Sequence, residues 1–116
     1  MINTLEQFGE SIEFSYPQSY LKVMDLNLID FDHWFLMSLE QLMARKLQLE
    51  KRYPERKLVP FAGRYESDDI ACFEIGQGER GFIVHDFAET GYERRQEFDN
   101  FWSWFISAIK ELIGIE

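Results

Sequence analysis

The chain has 116 residues, 46% of them hydrophobic and 16% aromatic, and a net charge of −9. That length is one domain by the usual size prior, a domain this large buries roughly two-thirds of its unfolded surface, and the apolar content argues against disorder. One cysteine, Cys72, leaves no disulfide framework within the chain and suits a reducing compartment.

Residues 1–15 carry Glu6, Glu10 and Glu13 but no basic residue, so no secretory signal is expected there. The apolar runs are too short to cross a membrane, and the default expectation is a soluble cytoplasmic protein. Residues 1–14 fit no single template, because Gly9 interrupts any helix from Thr4. Ser15-Tyr16-Pro17 reads as a helix start, since proline is tolerated in the first turn. Tyr20, Leu21, Met24 and Leu28 give that helix one apolar face, and Asn27 is its expected stop.

Trp34–Met37 reads as a short strand. Ser38 with Gln41 forms a capping-box pattern that opens a helix with Leu39, Leu42, Met43 and Leu47 along it, and Pro54 ends it. Leu58–Ala62 is the next strand, placed at an edge or cut short by Pro60, which cannot donate to a ladder. Ile70–Ile75 and Phe82–Phe87 are apolar on both alternating faces, as strands covered on both sides are. Gly76-Gln77-Gly78-Glu79 between them reads as a hairpin turn. A further short strand is weakly signalled near Tyr92–Arg94. The last helix opens at Phe98 with Phe98, Phe101, Trp102, Phe105, Ile109, Leu112 and Ile113 on one face, and with Glu97 and Asp99 at its positive end. The expected fold is α+β: a small, mainly antiparallel sheet packed against helices, as one domain over residues 1–116.

Residues 45–57 hold six basic residues against Glu50 and Glu55, a local charge of +4 that leaves −13 on the rest of the chain. An acidic surface repels phosphate backbones, so nucleic acid is not an expected partner, whereas a basic protein is. The basic segment is the solvated side of a helix, or else a contact for an acidic partner or for the acidic face of another copy. Catalytic and metal readings would draw on His85-Asp86, Asp68-Asp69, Cys72 and Glu74. Neither histidine has a partner at metal-ligand spacing, and Cys72 lies in an apolar run without an adjacent base. Gly76-Gln77-Gly78 precedes a strand, whereas phosphate-binding fingerprints precede a helix. No cofactor, metal or catalytic residue is expected.

Several segments together resemble the SUKH superfamily, the Smi/Knr-type domains of bacterial immunity proteins and fungal cell-wall regulators. They are Pro17, Tyr20 and Leu21, then Leu58–Ala62, Asp69–Glu74, Phe82–Asp86, and Phe98-Asp99-Asn100-Phe101. Asn27-Leu28 and Glu97 stand where that family often has Asn-Gly and serine. The resemblance implies a non-enzymatic protein-binding domain that neutralises a cognate toxin, or a regulatory scaffold of the same fold; the short apolar runs leave no membrane partner expected. A homo-oligomer is compatible with it. Aromatic anchors and an acidic rim would carry the binding. Trp104 lies off the apolar stripe defined by Trp102 and Phe105 and is the first candidate anchor, unless it packs against the N-terminal segment or the preceding helix. Asp68, Asp69, Asp86 and Glu89 flank strand ends and are the candidate rim.

Overall fold

In the computed structural model residues 2–114 are described, the side chains of Ile2, Arg94 and Arg95 excepted. The elements run α1 (Ile2–Ser11), α2 (Gln18–Asp25), β1 (Trp34–Leu36), α3 (Leu39–Arg52), β2 (Leu58–Arg64), β3 (Asp69–Glu74), β4 (Gly81–His85), β5 (Arg94–Phe98) and α4 (Phe101–Ile113). The five strands form one antiparallel sheet in the order β1-β2-β3-β4-β5. The α+β architecture expected from the sequence is the one found.

Gly9 sits inside α1 rather than breaking it. The chain folds back past it: Phe14 N–H donates to the Gly9 carbonyl at 2.8 Å, and a side chain at Gly9 would meet the Phe14 carbonyl oxygen at 2.6 Å. Close backbone approach is what a glycine permits, and here it outweighs helix propensity. After α2, Asn27 takes the left-handed conformation (φ 59°) expected of a stop. Leu28, placed by the sequence on the apolar face of α2, lies beyond the helix and is exposed, and Val23 is buried instead.

Ser38 and Gln41 form the capping box at the start of α3: Gln41 N–H donates to Ser38 Oγ, and Ser38 N–H donates to Gln41 Oε1. The buried face of α3 is Leu42, Lys46 and Leu49, while Met43 and Leu47 are exposed, contrary to the sequence pattern. Lys46 accounts for the shift. Its aliphatic stem is buried while its ammonium reaches Glu50 at 2.8 Å. Pro60 is accommodated where β2 has room for it, since β1 pairs only with positions 62–64 and a bulge lies between Pro60 and Ala62.

Successive residues of β3 face opposite ways. Phe73 meets Tyr20 of α2 and Phe101 of α4, whereas Glu74 meets Arg56 just beyond α3. The aromatic core therefore lies between the sheet and the α2–α4 side. Phe61 is its hub, stacked on Phe73 (4.4 Å between centroids) and edge-on to Trp104 (5.0 Å).

Several expectations for the C-terminal third are corrected. The strand begun by Phe82 ends at His85, so Phe87 is outside it, and β5 starts at Arg94 rather than near Tyr92. Phe98 is the last residue of β5, paired opposite Gly81, and α4 opens three residues later with Asn100 as cap, its Oδ1 accepting from Ser103 N–H at 2.9 Å. Glu97 thus belongs to β5, and the first turn of α4 holds no acidic residue. The buried face of α4 is Phe101, Trp104 and Ala108, and Trp102 is exposed.

Candidate functional site: the paired-loop end of the sheet

Antiparallel order places the β2–β3 turn (65–68) and the β4–β5 connection (86–93) at the same end of the sheet. Asp86 N–H donates to the Asp68 carbonyl at 3.1 Å and ties the two together. The longer connection is held from beneath. His85 N–H donates to the Glu93 carbonyl at 2.6 Å, and Tyr53 Oη donates to the Ala88 carbonyl at 2.8 Å.

Asp86 is the fixed point. It is fully buried, and its carboxylate accepts from Arg52 Nε at 2.6 Å, Arg52 Nη2, Arg45 Nη1 at 3.0 Å and the Phe87 N–H at 3.0 Å. Burial alone would raise its pKa, but the arginine and backbone donors outweigh it and hold the carboxyl below its ordinary value. Glu93 is nearly as buried. It accepts from Arg56 Nη1 at 2.8 Å and from Gly91 N–H at 2.7 Å, and here too the donors outweigh burial and lower its pKa. The basic segment, read as a solvated face or a contact for an acidic partner, has three of its arginines turned inward: Arg45 and Arg52 to Asp86, and Arg56 to Glu74 and Glu93.

Directly after Asp86, Phe87 has φ 71° and is 62% exposed. A bulky residue in the left-handed region is a steric outlier, costing on the order of 1–2 kcal/mol. The Arg52 guanidinium lies 4.1 Å from its ring centroid and supports the ring from one side. Tyr92, in the same connection, is 77% exposed, and Glu89 is exposed between them. Tyr65 is exposed in the neighbouring turn, against Phe35 (4.8 Å).

Of the residues singled out in the sequence, Asp68 and Glu89 are exposed at this end, and Asp69 is half-buried, facing His85 Nδ1 at 2.9 Å. Asp86 is at the same place but inside, so it anchors the loop and does not belong to an exposed rim. Trp104 is a correction of a different kind. It is 1% exposed, packed on Phe31, Trp34, Phe61 and Phe101, and is core rather than a surface anchor. The aromatics that the sequence reading missed are Phe87 and Tyr92. Asp86-Phe87-Ala88-Glu89-Thr90-Gly91-Tyr92 loses strand alternation and contains a glycine, which marks both rings as loop residues.

The residues considered for chemistry are dispersed. Cys72 faces away from Asp69 and His85, fully buried, and burial pushes its thiol pKa far up. Glu74 is engaged by Arg56. Among the described residues no three His, Cys, Asp or Glu side chains are grouped to hold a metal ion. No protein-family model, curated protein or solved structure matches the chain.

Proposed function

We propose that this chain is a SUKH-like protein-binding domain of the immunity type, which captures a basic protein in the cytoplasm, in the bacterial setting a toxin domain, and blocks it sterically without chemistry of its own. The observation that carries the reading is the Phe87 loop. A backbone strained into the left-handed region, held by a buried carboxylate with four donors, keeps a large apolar ring in water. Strain of that kind is maintained only where the surroundings over-determine it, and it concentrates where a chain binds something. An exposed aromatic fixed in place loses little entropy on docking, which is what an interface anchor requires.

The charge around it fits the same partner. Asp68, Glu89 and Glu66 are exposed at this end, and the chain as a whole carries −9. That field speeds encounter with a basic surface, and Phe87 and Tyr92 then supply the contact that slows release. No described helix is long and apolar enough to cross a membrane.

The test is affinity capture from the native cytoplasm, and with any toxin domain encoded beside this gene, at low and high salt. The reading expects one partner, retained by the wild type, weakened at least tenfold by Phe87→Ala and weakened by salt. Equal retention by the wild type and Phe87→Ala would place binding elsewhere, and a stoichiometric metal in the purified protein would end the inhibitor reading.

A further inference from the structure

On α4 the exposed apolar side chains form a second apolar surface, distinct from the Phe87 loop. Trp102 is 46% exposed, Ile106 51% and Ile113 61%, and Ile109 lies half-buried between them. Their spacing of four, three and four is that of a helix–helix seam, and it runs about 16 Å along the axis. No charged residue falls within it. Of the two charges on α4, Glu111 is turned to Arg64, and Lys110 borders the stripe.

We propose that this stripe is the contact between two copies of the chain, their α4 helices packed antiparallel about a two-fold axis. Two observations select a second copy as the occupant. The stripe is self-complementary, because reversal about its centre sets Trp102 of each helix against Ile113 of the other and Ile106 against Ile109. Reversal also opposes the two helix dipoles. The area is the second observation, and it falls at the low end of what a standard interface buries. The exposed apolar surface of the stripe is on the order of 400 Å² per copy, and at the usual apolar share of an interface this corresponds to roughly 600–700 Å² per copy in all. A standard interface needs about 800 Å² per partner, so the dimer is a weak one that forms at high concentration.

A partner drawn by the acidic field is a poorer fit here. The stripe offers it no carboxylate, whereas the loop end does. The dimer would leave the Phe87 loops outside the contact and present two of them in one particle.

Sedimentation equilibrium of the full chain from about 1 μM to about 1 mM tests this. The average mass is expected to climb from the monomer value toward twice that value. Ile106→Glu should hold the protein monomeric throughout with an unchanged urea midpoint, since the side chain is exposed. Leu47→Glu, on the exposed side of α3, and Phe87→Ala should both dimerise like the wild type. A wild type that stays monomeric at about 1 mM overturns the proposal. So does a dimer that survives Ile106→Glu, or one that is broken by Leu47→Glu instead. Because Phe87→Ala is scored here for mass and in the capture experiment for partner binding, the two readings fail separately.

Discussion

Asp86 and Phe87 are neighbours with opposite fates: the first is fully buried and the second 62% exposed, and the Asp86 carboxylate accepts the Phe87 N–H at 3.0 Å. The inner residue aims the outer one. Asp86→Asn keeps the shape but removes the charge that two arginines face. Breaking a buried ion pair from one side costs about 3–5 kcal/mol. Here Arg45 and Arg52 keep 33% and 26% of their side chains in water and can turn outward. A loss of about 2–3 kcal/mol is therefore expected, read as a lower urea midpoint at unchanged slope.

The strain at Phe87 gives an unusual ranking of substitutions. Alanine there keeps the steric penalty of a positive φ and loses the Arg52 contact; glycine loses the contact but relieves the penalty. Phe87→Gly should therefore be more stable than Phe87→Ala by about 1 kcal/mol, by thermal or urea unfolding, although glycine normally ranks below alanine. The reverse order would mean that the backbone is not strained.

Trp104→Ala should cost about 3–5 kcal/mol, and Trp102→Ala less than about 1 kcal/mol, because one ring is core and the other stands 46% exposed. Urea titration of the two variants separates them. The sequence pattern pointed the other way, and the reason is physical. α4 is apolar on more than one side, so its periodicity gives the angle between residues but not which angle faces the sheet. That direction is set by the Asn100 cap and by Phe98 remaining in β5, which start the helix at Phe101. The same limit applied to α3, where a lysine stem occupies a core position. The first four strands (the fourth ending two residues earlier than expected), the hairpin glycines and the capping box were readable because each rests on local chemistry. The Asp86 network was not, since its arginines lie 34 and 41 positions away in the chain.

Gly9→Ala reverses an ordinary expectation. In a helix interior that change usually stabilises by about 0.5–1 kcal/mol. At this position the new methyl would meet a backbone oxygen at 2.6 Å, which cannot swing aside as a side chain would. A net loss of about 1–2 kcal/mol is expected in urea unfolding, with the turn at Phe14 displaced from α1.

The clearest dependence on pH lies where His33, Glu66, Arg64 and Glu111 join the start of β1, the β2–β3 turn and the end of α4. His33 Nδ1 is 2.8 Å from Glu66 and 3.9 Å from Glu111, its Nε2 is 4.0 Å from Asp32, and Arg64 bridges Glu66 and Glu111. The hydrogen bond to Glu66 raises the His33 pKa above 6.5, against a smaller effect of desolvation. The same bond lowers Glu66 below 4.5, and Arg64 does so for Glu111. A raised histidine contributes stability that is fully present below 6.5 and is lost as pH climbs through its folded value. Lowered carboxylates contribute stability present above 4.5 and lost as pH falls through their folded values. All three therefore act together between 4.5 and 6.5. Urea midpoints of the wild type and His33→Gln should differ most near about pH 5.5 and converge by about pH 9. The difference should shrink in high salt, because these groups are partly exposed to it. A gap that stays constant with pH would show that the imidazole ring acts there by packing rather than by charge.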